Sequence, residues 1–376
     1  MAGVYIHIPF CKQACHYCNF HFSTTFEKYR SELVATLAQE MKLKSELFIG
    51  KEVETIYFGG GTPSLLIEEE FRIIFNGLKE SFNIGKVVEV TIEANPDDVT
   101  VENLAIWQSY GINRISLGVQ SFFEDDLEQM NRSHSSEQAH NAIKRIKESG
   151  IDNYSVDFMF ALPLLSNEQL EKNLQLAIDY KVPHISCYNL TIKEQTALMT
   201  LIKKGKIEDL SEEKSIQQFK IVMNRLGSNR YHQYEISNYA LEGYQSMHNS
   251  SYWYQKPYLG IGPAAHSFYN SKRAFNISNN SEYIKLVGEG KDYFEVEELT
   301  EKEFFNEFVM TRLRTSKGLD RRDLEILFPK FVDAFKEKTS NYLRGGQLAF
   351  FGDEYRLTPE GKLMADYIAS EFFVVE

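Results

Sequence analysis

Tyr5-Ile-His-Ile-Pro-Phe-Cys11-Lys-Gln-Ala-Cys15-His-Tyr-Cys18-Asn-Phe20 joins an apolar run to three cysteines spaced C-x3-C-x2-C. The run from Gly3 to Phe10 reads as a β-strand, and the cysteines follow it directly. Thiolates are the ligands of iron–sulfur clusters, and a cubane cluster has four irons. Cys11, Cys15 and Cys18 on one loop would hold three of them and leave the fourth open, much as a catalytic zinc site keeps one position free. A zinc knuckle completed by His16 or His21, or three buried thiols, fits the same spacing. Position favours the cluster, because the motif stands at the mouth of what reads as a βα repeat.

Working outward, the pattern alternates. Helical periodicity over Thr24 to Leu47 leads to a strand, Val53 to Phe58, that ends in Gly59-Gly60-Gly61-Thr62-Pro63-Ser64. A helix over Ile67 to Phe82 precedes a strand, Val87 to Ile92, closing on Glu93-Ala-Asn95-Pro96. A helix to Tyr110, a strand from Arg114 to Val119 and helices around Phe123 to Met130 and Ser136 to Glu148 come next. Tyr154 to Phe160, a helix from Asn167 to Asp179, and His184 to Thr191 complete six strands. Strands alternating with helices predict a parallel α/β sheet. The cysteines, the glycines, Glu93 and Gln120 all fall at strand C-termini. That favours a partial (βα)6 TIM-type barrel, whose sites lie on that face, over an open doubly wound sheet with a single switch point.

The repeat spans residues 1–200. Residues 201–298 read as an extension and linker carrying Tyr234-Glu-Ile-Ser-Asn-Tyr239 and His248-Asn249-Ser-Ser-Tyr252-Trp253. Residues 299–376 read as helix, helix, hairpin and helix, either a small winged-helix-like α+β domain or a plain helical cap. The last helix is predicted from Pro359 to Phe372.

A net charge of −12 argues against nucleic acid as the main partner, since phosphate binding needs a basic face. Four cysteines, three of them in one loop, are no disulfide framework and suit a reducing compartment. The first strand begins too early for a signal peptide, and no apolar run has membrane-spanning length, so a cytoplasmic protein is expected.

Gly60 and Gly61 lack the lysine of a P-loop and the GxGxxG spacing of a dinucleotide site. A tight turn accounts for them, and so does a ligand touching the backbone. Glu93, Gln120 and Asp157 are polar residues embedded in apolar strands, where burial costs free energy unless each finds a partner. On successive strands they are placed to ring one pocket, and carboxylates with an amide suit a cationic nucleoside.

Together these segments resemble the oxygen-independent coproporphyrinogen oxidase family of radical SAM proteins over nearly the whole chain. The matching runs are Tyr5-Ile-His-Ile-Pro-Phe-Cys11, Gly59-Gly-Gly-Thr-Pro-Ser64, Glu93-Ala-Asn-Pro96, Ser116-Leu-Gly-Val-Gln-Ser-Phe122, Tyr234-Glu-Ile-Ser-Asn-Tyr239 and the HNxxYW run. The resemblance implies a [4Fe–4S] cluster on Cys11, Cys15 and Cys18. It also implies S-adenosylmethionine (SAM) contacts from Tyr5, Tyr17, Gly60, Gly61, Thr62, Glu93, Gln120, Arg132 and Asp157. Phe160-Ala-Leu-Pro163 departs from the family's usual glycine and glutamine at that strand end.

Two features divide the family. Its decarboxylating branch carries a further cysteine two residues after the third and a long N-terminal arm; here that position is Phe20 and the arm is absent. The HNxxYW run is similar to that of the other branch, whose members are heme chaperones. Heme would then be cargo for apo-hemoproteins such as respiratory enzymes, with any membrane contact transient and made through those clients. A radical SAM enzyme acting on a porphyrinogen remains the alternative. His248, beside Tyr252 and Trp253, is the leading axial-ligand candidate, with His232 and His266 as rivals. The alternative is that His248 and Asn249 cap a turn while Trp253 anchors the core between domains.

Overall fold

The computed structural model describes residues 2–209 and 211–375. Strands β1 (Ala2–Ile8), β2 (Val53–Gly60), β3 (Glu89–Ala94), β4 (Arg114–Gln120), β5 (Tyr154–Phe160) and β6 (His184–Asn189) lie side by side in chain order, each neighbouring pair parallel. Parallel neighbours need crossover helices. These are α1 (Arg30–Lys44), α2 (Glu68–Ser81), α3 (Val101–Ser109), the pair α4 (Glu124–Gln129) and α5 (Ser136–Ser149), and α6 (Asn167–Asp179). The strand order never reverses, which is barrel winding and excludes the doubly wound alternative. Helix ends follow local chemistry. Ser135 and Ser166 cap α5 and α6, and Gln138 and Gln169 return the bond in each capping box.

The first helix begins at Arg30, not Thr24. The cysteine loop must close before a helix can start: Cys11 N–H donates to Ser23 O, and Ser23 N–H to Pro9 O. Phe26 then tucks beneath the loop, its ring 4.6 Å from that of Phe10. Arg30 pins the turn by donating to Glu70 and to the Leu65 carbonyl.

Residues 201–298 extend the sheet on both edges. After α7 (Ala197–Lys203) and α8 (Glu212–Gly227), β7 (His232–Gln233) and β8 (Asn238–Ala240) add antiparallel strands beside β6. Helix α9 (Met247–Trp253) then leads to β9 (Tyr258–Ile261), which runs parallel to β1 on the opposite edge. Strands β10 (His266–Tyr269), β11 (Lys272–Asn276) and β12 (Phe294–Glu298) follow as an antiparallel meander, with α10 (Asn280–Gly288) before the last. The result is one twelve-stranded sheet, β12-β11-β10-β9-β1-β2-β3-β4-β5-β6-β8-β7.

A buried ion pair fixes the added edge. Glu40 and Lys44 of α1 sit 2.8 Å apart with almost no exposure. Lys44 also donates to Gly260 O and Asn276 Oδ1, and Glu40 accepts from Gly262 N–H, Asn276 and Tyr283. With every partner present the charges are compensated; removing one would strand the other in the interior.

The C-terminal unit has its own apolar core around Phe305, Phe308, Phe328 and Phe335. It comprises α11 (Glu301–Leu313), β13 (Leu319–Asp320), α12 (Arg321–Leu327), α13 (Val332–Arg344), the hairpin β14 (Leu348–Phe351) and β15 (Glu354–Leu357), then α14 (Pro359–Lys362) and α15 (Ala365–Glu371). The final helix is thus broken near Leu363, where the sequence predicts a single helix. Among the described residues no helix is long and apolar enough to cross a membrane.

Candidate functional site

A cavity of about 430 Å³ opens at the C-terminal ends of β2–β6, covered by the cysteine loop. Cys11, Cys15 and Cys18 line it, as do Tyr17, Gly60, Gly61, Thr62, Glu93, Gln120, Arg132 and Asp157. Among the described residues no three His, Cys, Asp or Glu side chains converge on a point suited to a single metal ion. In a cubane each thiolate takes a separate iron, so the thiols need share only the cavity. Cys187 lies apart, buried mid-strand in β6.

Arg132 organises the thiol side. Its guanidinium donates to Cys15 Sγ at 3.4 Å, Tyr17 Oη at 3.1 Å, Asn95 Oδ1 at 2.8 Å and Gly118 O at 2.7 Å. Burial works against its charge, but Tyr17 and Cys15 more than offset this and hold it protonated. Thr62 Oγ1 donates to Cys11 Sγ at 3.4 Å. Two sulfurs therefore already receive donors, the arrangement that tunes thiolate ligands. Burial raises the free Cys11 thiol to about 12, so binding iron there must expel protons.

The opposite wall is anionic. Glu93 accepts from Tyr57 Oη at 2.8 Å and Gly60 N–H at 3.1 Å. Burial, with Asp157 nearby, still pushes its carboxyl up to about 7. Asp157 is raised too, by burial, although Ser186 and Ser116 bond it; its Oδ1 is buried without a partner. Two desolvated carboxyls and one orphaned oxygen are a wall that a cation would satisfy.

Backbone geometry serves the same cavity. The β4–β5 register shifts between Leu117 and Gln120, and Gln120 sits at φ 68, in the left-handed region. Such a bulge re-aims a side chain beside a site, at some cost in strain. Gly60, at φ 110, leaves room for the His7 ring 2.6 Å from where a Cβ would be.

Two of the sequence-predicted residues lie off the cavity's lining. Tyr5 lines an adjoining cleft, its ring meeting Glu93 of the cavity wall beside Gly59, and its hydroxyl bonds His7 Nδ1 at 3.0 Å. His248 is buried at the N-terminal end of the barrel strands, wedged against Gly3. Its Nδ1 pairs with Thr55 Oγ1 and its Nε2 with Tyr252 Oη, both at 2.8 Å, and its ring stacks on Tyr57. Burial lowers its pKa to about 3. No ring nitrogen is left for iron, so His248 is a scaffold residue in this arrangement. The reason is visible in α9: Glu89 of β3 accepts from Met247 and His248 N–H, pulling the helix into the barrel floor. Trp253 carries the C-terminal unit, its carbonyl accepting from Arg312 and its ring lying 5.3 Å from Arg314.

Sequence reasoning misses Asn95 and Tyr57, which orient Arg132 and Glu93. Asn95 carries a signal, a polar residue at a strand end two places after Glu93; Tyr57 carries none within its apolar strand.

Comparison with known proteins agrees with this geometry. Residues 5–177 match the Radical SAM superfamily and residues 299–364 the HemN C-terminal domain. A Bacillus subtilis protein named Heme chaperone HemW is 33% identical over 385 residues, spanning 99% of each chain. An Escherichia coli protein of that name is 31% identical over 382 residues, covering 100% of this chain and 98% of its own. The coproporphyrinogen III oxidase HemN of Escherichia coli, a radical SAM enzyme, superposes with a TM-score of 0.86 at 21% identity, covering 99% of this chain and 90% of its own. Radical SAM membership implies a [4Fe–4S] cluster and SAM. With end-to-end similarity, both family matches and a cavity suited to that chemistry, the chain belongs to the HemW-like family of radical SAM proteins.

Proposed function

We propose that this protein binds heme and passes it to apo-hemoproteins, respiratory enzymes among them, while holding a [4Fe–4S] cluster and SAM. The observation that carries the reading is a three-thiol, two-carboxyl cavity in a chain similar from end to end to proteins named heme chaperones. Cys11, Cys15 and Cys18 would ligate the cluster. Thr62 and Arg132 would donate to the sulfurs, while Glu93 and Asp157 would meet the cationic and hydroxyl groups of SAM. Bound there, cluster and SAM would supply redox-active iron beside a sulfonium. The protein's own part is to exclude water and fix the orientation, through the closed cysteine loop and the re-aimed Gln120.

Decarboxylation of a porphyrinogen is the second reading, favoured by the fold shared with HemN. Phe20, standing where that branch carries a cysteine, argues against it. The test is anaerobic cluster reconstitution and heme titration with and without SAM, beside a coproporphyrinogen turnover assay. Stoichiometric heme binding without turnover above a Cys11→Ala control supports the chaperone; turnover above that control overturns it.

A further inference from the structure

A second concavity, of about 1070 Å³, adjoins the first. Its floor is the face of the added strands. Register places Tyr258, Phe268 and Arg273 in one cross-strand row, and His266 and Phe275 in the next. One wall is α11, with Glu303, Glu307 and Met310 at helical spacing; the other is β1 and the exit of the cysteine loop. Tyr252, its ring 4.6 Å from that of Tyr258, closes the end beside the barrel.

We propose that this cleft is the heme seat and that His266 is the iron ligand, an inference that rests on the heme reading above. Aromatic faces on adjacent strands offer a flat apolar surface suited to a macrocycle. A ligating imidazole must present a free lone pair. Three histidines line the cleft: besides His266, His7 has both ring nitrogens in hydrogen bonds, to Tyr5 Oη and His21 O, and His21 has its Nε2 held by Asn280 Oδ1 at 2.6 Å, while His16, His134, His140, His184 and His248 lie outside it. Among the described residues the ring nitrogens of His266 make no protein hydrogen bond, and its ring lies 5.8 Å from that of Phe275. Partial desolvation, then Arg273, lower its pKa, which favours the neutral imidazole. His232 is also without such a bond but lies on β7 at the opposite sheet edge, outside both cavities.

The cleft's charge pattern suits release. Among the described residues Arg273 is the only Lys or Arg lining it, and Glu297 and Glu307 already pair with it. Propionates are therefore turned outward, where an acceptor can reach them.

The test titrates heme and iron-free protoporphyrin into the full chain and its variants. His266→Ala should weaken heme about tenfold or more and abolish the parent's Soret position, leaving protoporphyrin binding unchanged. Phe268→Ala should weaken both porphyrins, and His232→Ala neither. His266→Gln reports the same loss if the alanine variant does not fold. A parent that binds heme, with both His266 variants matching it in spectrum and affinity, overturns the seat alone. A parent that binds neither porphyrin overturns the heme reading and the seat with it.

Discussion

The thiol-lined cavity and the aromatic cleft lie on one concave sheet face, yet they are built in opposite ways. The cavity takes a short contiguous loop plus single residues from successive strand ends, and it is polar, with buried charges short of partners. The cleft takes residues from β1, the cysteine loop, β9–β12, α9, α11 and Phe373, and its surface is largely apolar with seven Phe and Tyr rings, its one arginine already paired. A site holding a charged cofactor must pre-place charge, and buried charge is conspicuous in a sequence. A site for a flat apolar cargo needs only exposed faces, which look like any other aromatic residues.

The sharpest break between the regions concerns iron. Cys11→Ala, Cys15→Ala and Cys18→Ala should each lose the cluster essentially completely, while Cys187→Ala keeps it, because Cys187 behaves as a small buried hydrophobe. Iron and sulfide analysis after anaerobic reconstitution checks this. Equal loss from the Cys187 variant would remove the cavity from its role.

Stability comes next. His248→Ala leaves Thr55 and Tyr252 hydroxyls without their partner and a void beneath Tyr57, so it should cost about 2–4 kcal/mol by denaturant unfolding. The sign with pH is fixed by the depressed pKa. His248 is neutral when folded down to about 3, whereas unfolded it protonates near 6.5. Its contribution is therefore full above about 6.5 and lost as pH falls toward 3. The parent should lose more stability than His248→Ala over that window; parallel curves would show the ring is not buried as described.

These two predictions also mark how far the sequence can be read. Strand order, the cysteine loop and the polar strand ends are legible because each leaves a local mark. Helix and strand periods alternate along the chain, and a lone carboxylate in an apolar strand must have a partner. The twelve-stranded extension leaves no such mark, because β7–β10 are only two to four residues long and carry no periodicity. The HNxxYW run advertises a histidine among aromatics, but its local pattern cannot distinguish a ligand from a plug. Glu89, far away in sequence, decides that by accepting from the first turn of α9.

A smaller effect separates the cavity's two walls. On the proposed SAM contacts, Glu93→Gln and Asp157→Asn should each weaken SAM binding by about 1.5–3 kcal/mol, roughly tenfold or more, since each would remove a charge-assisted bond to the ligand. Cluster content should stay at the parental level, since neither carboxyl bonds a cysteine. Calorimetry on the reconstituted protein measures the affinity, and unchanged values in both variants would dismiss the anionic wall as a SAM contact.

The smallest effect tests whether the two regions communicate. Asn19 and Phe20 line both concavities, and Phe20 is 69% exposed although it follows directly from the cluster loop. An exposed aromatic ring at that lip would touch a porphyrin on one side while standing two residues from Cys18 on the other. Heme binding should therefore shift SAM affinity by a few-fold, about 1 kcal/mol, and SAM should shift heme affinity by the same factor, as linkage requires. Phe20→Ala should bring both shifts to unity while changing each separate affinity less than His266→Ala or Glu93→Gln does. Four titrations, each ligand alone and with the other saturating, measure the pair of shifts. A coupling that survives Phe20→Ala would mean the regions communicate through the shared β1 strand, by way of Tyr5 and His7, and that Phe20 is only a lip.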